Sequence, residues 1–424
     1  MMQEITTKEF EEIIHSHEKV AVDFYSTECP PCEALAPKYE AMEELYGDHV
    51  KFVKVFRQQN RELAESLGVK GSPTVLFYDK GKQVGDALSG GIKKSELTDN
   101  LDSLLSKEAI EKIKANKIPV VTECDVAILG GGPGGLACGL YLCQAKINTV
   151  LVDINLPGGQ VSTTHQVSNY PGFVEPQPGF MLSHYMSEQT KNCGTRYKVA
   201  VDVAKVDLQN KQILIDENET IQAKKIIIAT GASPRLLNIP GEKELKGKGI
   251  SYCATCDAKY FNDKEVVIIG GGNTAVEESE FISKFVSKMT IIHQFDELTA
   301  NKEAREKAHA NPKIDFLFSS EPRAFEQVGD KIKITYEQLK DNTTHSLTAD
   351  GVFIFIGMDP NTELLGDSIE TDQWGYLKTD EDMHTNLEGI YAIGDVRSKK
   401  YRQITTAVAD GTIAAIALTK DLEI

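Results

Sequence analysis

The apolar positions of this chain fall into short runs alternating with helical patterns, and the order of runs changes once along its length. Residues 18–26 (EKVAVDFYS) and 50–56 (VKFVKVF) predict strands, with a helix from about Pro31 to Tyr46 between them and another apolar strand from Thr74 to Tyr78. This compact α/β unit ends near Ser106. Residues 107–123 (KEAIEKIKANKIPVVTE) are charged and carry Pro119 ahead of a new strand, which marks a connector with some helical character. From Asp125 the order becomes strand, glycine loop, helix, strand (DVAILGGGPGG, LACGLYLCQAK, NTVLVD). The order starts again at Glu265 with VVIIGGGNTAVEE and TIIH. The pattern predicts an α/β chain throughout: one small domain, then two dinucleotide-binding domains, each opening its own doubly wound sheet.

A length of 424 residues gives a prior of about three domains, in keeping with that count. With 41% apolar and 26% charged residues, the composition is that of globular proteins able to bury cores. Lys and Arg total 46 against 63 Asp and Glu, a net charge of −17 that would repel phosphate backbones and anionic membranes. Neither nucleic acid nor membrane is an expected partner. The opening MMQEITTKEF lacks a basic-then-apolar leader pattern, and no apolar run approaches the roughly 18 residues of a membrane span, so the expected location is cytoplasmic.

Gly130, Gly132 and Gly135 form G-x-G-x-x-G directly after a strand, with Pro133 where the helix starts and Asp153 at the end of the next strand, eighteen residues after Gly135. Glycine permits the tight turn and close backbone approach to a pyrophosphate at a helix N-terminus, while the acid accepts bonds from an adenosine ribose. Gly270, Gly272 and Ala275, with Asn273 and Thr274 between them, repeat the arrangement as G-x-G-x-x-A. Here the following strand ends in His293-Gln294-Phe295-Asp296-Glu297, and no arginine occurs between Arg235 and Arg305.

Eight cysteines are too few for a disulfide scaffold, but four form two C-x-x-C pairs, Cys29/Cys32 and Cys253/Cys256. Cys29-Pro30-Pro31-Cys32 stands between a strand and a helix, where the helix N-terminus favours thiolate. A structural zinc would need two further ligands, and His165, His184, His309 and His384 show no ligand spacing, so redox chemistry is favoured and no metal site is expected. Asp23, inside the preceding apolar strand, reads either as a solvated strand-edge acid or as a buried proton acceptor for the resolving thiol. Cys124, Cys138, Cys143 and Cys193 read as buried small hydrophobes, and Trp374 as structural.

The strand with Asp23, C-x-x-C at a helix start and Ser72-Pro73-Thr74 before a strand together resemble thioredoxin over residues 1–106. The resemblance implies a cis peptide at Pro73, Cys29 as attacking thiol and Cys32 as resolving thiol. Glu28 replaces the usual tryptophan and Pro30 the usual glycine, so thioredoxin's broad client range does not carry over.

Cys253-Ala254-Thr255-Cys256-Asp257 closely resembles the active-site motif of low-molecular-weight thioredoxin reductases. That resemblance extends over about residues 124–424 through Gly158-Gly159-Gln160, Asn169-Tyr170-Pro171-Gly172, Ala229-Thr230-Gly231, Gly357 to Thr362, Gly394-Asp395 and Arg402-Gln403-Ile404. It implies that FAD is contacted by the Gly130 region, Gly159, Gln160, Asn169, Ala229, Thr230, Gly231, Gly394, Asp395, Arg402, Gln403 and Ile404. The FAD domain would then be discontinuous, 124–237 plus 363–424, with a nicotinamide and C-x-x-C domain at 238–362 inserted, and 1–106 and 107–123 as thioredoxin-like domain and linker. Cys256 would face the flavin, Cys253 would attack the substrate disulfide, and Asp257 would protonate the leaving thiolate. The inserted domain would rotate on hinges near 237–247 and 357–363.

Together the two resemblances imply a thioredoxin reductase fused to its thioredoxin, acting on client protein disulfides, a peroxiredoxin among them, as a homodimer. NADPH-dependent members hold the 2′-phosphate with arginines that this chain lacks after its second glycine loop. Asp296 and Glu297 stand there instead, so NADH is favoured as donor over NADPH, with Lys302 as the alternative phosphate ligand and ferredoxin as a third donor. Rival readings are a peroxiredoxin reductase like the alkyl hydroperoxide reductase flavoprotein, and a redox-responsive flavin-binding interaction protein without turnover.

Overall fold

The computed structural model describes residues 2–164 and 166–422; His165 lies outside them. The VAVDFY run forms the central strand Lys19–Tyr25 of a five-stranded sheet. Val20, Ala21, Val22 and Phe24 are fully covered on both faces, which is why the run is nearly continuous rather than alternating. It pairs in parallel with Lys51–Phe56 and antiparallel with Thr74–Asp79, while Gln3–Glu4 and Lys82–Ser89 form the edges. Cys29 caps the helix Pro30–Tyr46, whose first-turn prolines lose no hydrogen bond because those N–H groups have no partner within the helix. Leu35, Tyr39, Met42 and Tyr46 on its inner face pack on the sheet.

Within 107–123, Lys107–Ala115 form a helix capped by Ser106, and Ile113 packs into the core of the first unit. Regular structure is missing only over 116–119, before the strand Val120–Leu129. The segment between that helix and the strand is therefore only four residues long, and Lys117 and Ile118 in it bond Glu217 and Asn218.

Val120–Leu129 runs in parallel between Thr149–Asp153 and Glu219–Ile228, with Arg196–Val199 beyond; Gln212–Ile215 and Val203–Asp207 continue the sheet antiparallel. Ile390–Ala392 joins Glu219–Ile228 in parallel as the seventh strand, so the chain returns to this sheet after an excursion. That excursion forms a five-stranded parallel sheet in the order Ile250–Ser251, Gly351–Ile354, Glu265–Ile269, Lys288–Ile292, Ile314–Leu317. It also forms an antiparallel sheet of Ser320–Val328, Lys331–Gln338 and Thr343–Ala349, an addition to the expected doubly wound unit. The departing and returning segments, Ala232–Pro234 and Met358–Pro360, pair as a ribbon, with Arg235 and Asp359 bridged at 2.8 Å.

Two side-chain expectations need correction. Cys143 and Cys193 are half-buried rather than core residues, because they lie at adjacent helix ends, where the Cys143 thiol donates to the Cys193 carbonyl at 2.7 Å. Trp374 is 69% exposed in a turn held by Asp372, so it packs no core. Among the described residues no helix is long and apolar enough to cross a membrane.

Candidate active site

A cavity of about 1830 Å³ opens between the seven-stranded sheet and the inserted unit. Its floor is the first glycine loop. Gly130 has φ +116°, and a Cβ there would strike the Ala229 carbonyl, so only glycine lets the chain turn from strand to helix at this point. Gly132 caps the helix Pro133–Gln144, whose first residues Pro133 and Gly134 line the cavity, while Gly135 is buried behind the loop. The Gly131 N–H donates to Asp153 Oδ2 at 2.5 Å and the Asn155 N–H to Oδ1 at 2.7 Å, which fixes the carboxylate at the rim.

Gly159, Gln160, Asn169, Ala229, Thr230 and Gly231 line the same space. Asn361 clasps Thr230 with two bonds: its amide donates to Thr230 O at 2.8 Å, and its carbonyl accepts from Thr230 Oγ1 at 2.7 Å. On the opposite wall stand Gly394, Asp395, Arg402, Gln403 and Ile404. The Arg402 guanidinium carbon stands 3.8 Å from the centre of the Tyr376 ring, and Arg402 Nε donates to Asp395 O at 3.1 Å. Asp395 Oδ1 is buried without a hydrogen-bond partner, although Lys399 Nζ is 3.5 Å away, and burial raises its carboxyl pKa. An unfilled acceptor, a glycine cradle and a helix N-terminus on one cavity fit the polyhydroxyl and pyrophosphate chemistry of a flavin dinucleotide.

The sequence reading missed Asp410. It is 7% exposed, accepts from Gly394 N–H at 3.0 Å and pairs with Arg397 and Lys399, holding the Gly394 turn from behind. Its signal was available, since it is the one acid within the apolar stretch ITTAVADGTIAAIAL.

The Cys253–Cys256 disulfide, Cα atoms 5.4 Å apart, and Asp257 line this cavity too. Gln403 donates to Thr255 Oγ1 at 3.5 Å, and Tyr260 donates to Gln166 at 2.9 Å, which ties the inserted unit to the first sheet. Ser251, also missed, donates to Asp257 Oδ2 at 2.6 Å and orients the acid beside Cys253.

The second glycine loop is built like the first: Gly270 has φ +124° under the Phe355 carbonyl, and Gly272 caps Asn273–Ile282. Thr274 reaches the cavity; Gly270, Gly272, Asn273, Ala275 and His293 do not line it. His293 is 6% exposed, packed over Gly271, with Nε2 unpartnered, and burial lowers its pKa. Asp296 is engaged by Ser319 and Lys340, and Glu297 by Arg305, so the two acids expected to meet a ribose already hold other groups. Arg305 returns one helical turn beyond Asn301 to the Leu298 carbonyl at 3.4 Å, a cation that linear distance concealed. Lys302 pairs with Glu306 instead.

In the first unit, Cys29 and Cys32 are disulfide-bonded with Cα atoms 5.2 Å apart, and Cys29 Sγ lies 3.4 Å from the carbonyl of Ser72, whose bond to Pro73 is cis. Neither cysteine lines the cavity, so the two disulfides are not brought together here. Asp23 is 3% exposed with Oδ1 unpartnered; burial pushes its pKa from 3.8 up to about 7, against the pull of Lys54. A carboxyl that binds its proton more tightly when folded loses native-state stability as pH rises from about 4 through its folded value near 7, and the loss levels off only about a unit above that. The Asp23→Asn variant is therefore expected to gain on wild type by about 2–3 kcal/mol between pH 5 and pH 7. Hydrogen exchange of the strand Lys19–Tyr25 in both proteins checks this; a pH-independent difference would contradict it.

Residues 124–411 match the family described as pyridine nucleotide-disulphide oxidoreductase, and residues 1–103 match thioredoxin. A thioredoxin reductase from Peptoclostridium acidaminophilum is 45% identical over 309 residues, covering 70% of this chain and 97% of the relative. One from Bacillus subtilis (strain 168) is 38% identical, covering 69% and 92%. The crystal structure of a thioredoxin reductase from Streptococcus pyogenes MGAS5005 superposes with a TM-score of 0.67 at 36% identity, covering 71% of this chain and 99% of that one. The chain thus belongs to the pyridine nucleotide-disulphide oxidoreductase family, as a flavoprotein disulfide oxidoreductase of the thioredoxin reductase kind with a thioredoxin domain fused ahead of it.

Proposed function

We propose that electrons from a reduced nicotinamide pass by way of FAD to Cys253–Cys256, then to Cys29–Cys32, and finally to client protein disulfides. The observation that carries this reading is that the Cys253–Cys256 disulfide lines the same cavity as the Gly130 loop and the Gly394–Asp395 turn. FAD, when bound, supplies the exchange between two-electron hydride chemistry and thiol–disulfide chemistry. Gly130, Gly132 and the first turn from Pro133 would hold its pyrophosphate, Asp153 its ribose, and Asp395 a further hydroxyl.

Once reduced, Cys253 as thiolate attacks the Cys29–Cys32 disulfide; a Cys253–Cys29 bond forms, and Cys32 leaves with a proton from Asp257, which Ser251 orients. Cys256 then attacks Cys253, closing the first disulfide and releasing Cys29 as thiolate. Cys29 attacks the client, and Cys32, losing its proton to Asp23, resolves the mixed disulfide. Because Cys253–Cys256 starts inside the cavity, the inserted unit must turn between steps, on the hinges near 237–247 and 357–363 that adjoin the ribbon Ala232–Pro234 with Met358–Pro360. The homodimer belongs to the same proposal, and neighbouring helices expose Tyr141, Phe180, Ile413 and Ile416 for it.

NADH is the favoured donor, because Phe295, Asp296 and Glu297 occupy the positions of 2′-phosphate-binding arginines, and the nearest arginine, Arg305, is already paired with Glu297. Anaerobic bleaching of the bound flavin by NADH and NADPH at matched concentrations is expected to be much faster with NADH, with colour returning when a disulfide substrate is added. Faster bleaching by NADPH would overturn the assignment and point to Arg305. No bleaching by either would remove the nicotinamide route.

A further inference from the structure

The thioredoxin unit is seated on the flavin-side unit through the same face that carries its disulfide. Cys29 Sγ touches the Ser72 carbonyl, and the Gly90 N–H donates to Pro73 O at 3.4 Å, so Cys29, Pro73 and the segment Gly90–Ile92 form one continuous face. Gly91 stands at its centre: a Cβ there would lie 3.2 Å from Leu156 Cγ and 3.7 Å from Ala200 Cβ, both in the other unit. Lys38, nearly two turns beyond Cys32 on the same helix and 9% exposed, donates to Ile92 O at 3.0 Å and across the boundary to Ala200 O at 2.6 Å. Lys93 pairs with Asp202 at 3.0 Å, and Glu33 with Lys191, on either side. Cys29 and Cys32 are each 8% exposed.

Attack on or by Cys29 requires a partner sulfur in line with its Sγ, on the face that these contacts border at Gly91, Glu33 and Lys38. A buried ammonium shared between two carbonyls costs desolvation, and burial brings the Lys38 pKa down to about 8 against the opposing pull of Asp216 and Asp202. That cost is offset only by contacts made while the two units are seated, so the arrangement is a defined docked state and not a loose encounter.

We propose that this docked state is a self-blocked resting form: the surface around Leu156, Ala200 and Asp202 receives the thioredoxin client face, and undocking precedes both loading by Cys253 and delivery to a client. The proposal rests on Cys29 being the client-attacking thiol, and it adds a second moving unit to the rotation of the inserted one. The short connector at 116–119 is the pivot.

Reversal of one boundary charge, in Lys93→Glu or separately in Lys191→Glu, replaces attraction by repulsion without touching either disulfide. In the full-length protein, reduced and freed of reductant, alkylation of Cys29 by iodoacetamide, followed on its own peptide by mass spectrometry, is expected to accelerate about three- to tenfold in each variant. The double variant Lys93→Glu with Asp202→Lys is expected to return towards the wild-type rate, and flavin reduction is expected to be unchanged in all of them. Insulin turnover should rise in step with alkylation. Unchanged alkylation in both single variants would overturn the docked state. Faster alkylation without faster insulin reduction would overturn its blocking role. Because alkylation reads only the exposure of the thiol, it stands even if Cys29 is not the client thiol, and a Cys29→Ser protein that still reduces insulin identifies that separate failure.

Discussion

The Cys29→Ser protein is expected to be bleached by its nicotinamide donor at the wild-type rate while reducing client disulfides at least roughly a thousandfold more slowly. Two spatial facts make the separation clean. Cys29 does not line the cavity that Cys253 and Cys256 share with the first glycine loop, so its sulfur contributes nothing to that site. On the client side it stands where the helix N-terminus favours thiolate, with the Cys32 N–H directed at its Sγ at 3.2 Å, whereas Cys32 lies a turn inside the helix. A serine hydroxyl there keeps the shape and loses the nucleophile, and the effect falls on turnover instead of on binding. Cys32→Ser should behave differently: Cys29 can still attack, and the mixed disulfide, unresolved, should be isolable on a gel without reductant. Slower flavin reduction in Cys29→Ser would reverse the proposed order of the two disulfides.

Gly130→Ala is expected to yield protein with less than about a tenth of the wild-type flavin content. The added methyl group points at the backbone carbonyl of Ala229, which directly follows the central strand Glu219–Ile228 and is held by its N–H bond to Leu129 O, and φ of +116° adds backbone strain of about 1–3 kcal/mol. The loop must shift, and with it the N–H groups at the start of Pro133–Gln144. Gly132→Ala supplies the comparison, since its Cβ would have only Gly159 Cα at 4.0 Å and φ there is ordinary. That variant should fold without strain, so any flavin loss it shows reports the approach of the ligand to the backbone. Absorbance of the purified proteins near 450 nm gives both values; full occupancy in Gly130→Ala would remove the loop from the binding site.

Much of this architecture was legible because the features concerned are local. A run such as VAVDFY buried on both faces, a helix opened by a cysteine and two prolines, and a strand followed by G-x-G-x-x-G each follow from neighbouring residues. The antiparallel sheet from Ser320 to Ala349 escaped notice although Ile332 and Ile334 alternate with exposed or half-exposed lysines, since charged residues dilute its period. Asp410 and Ser251 escaped because each acts on a group brought to it by the fold, Gly394 and Asp257, and Asn361 stood in a recognised motif while its clasp on Thr230 did not show.

The sequence by itself determined the kinds of chemistry: two dithiol pairs at helix starts, two glycine turns that no larger residue fits, and an aromatic and two acids where phosphate-binding arginines would stand. These depend on covalent neighbours and on φ, which the chain carries with it. Tertiary structure alone decided which groups meet. It put Cys253–Cys256 in the first glycine loop's cavity rather than beside Cys29–Cys32, left Asp23 Oδ1 buried without a hydrogen-bond donor, and seated the thioredoxin face on Ala200 through Lys38. Contacts between residues more than a hundred positions apart depend on how separate sheets pack, and no local pattern encodes that packing.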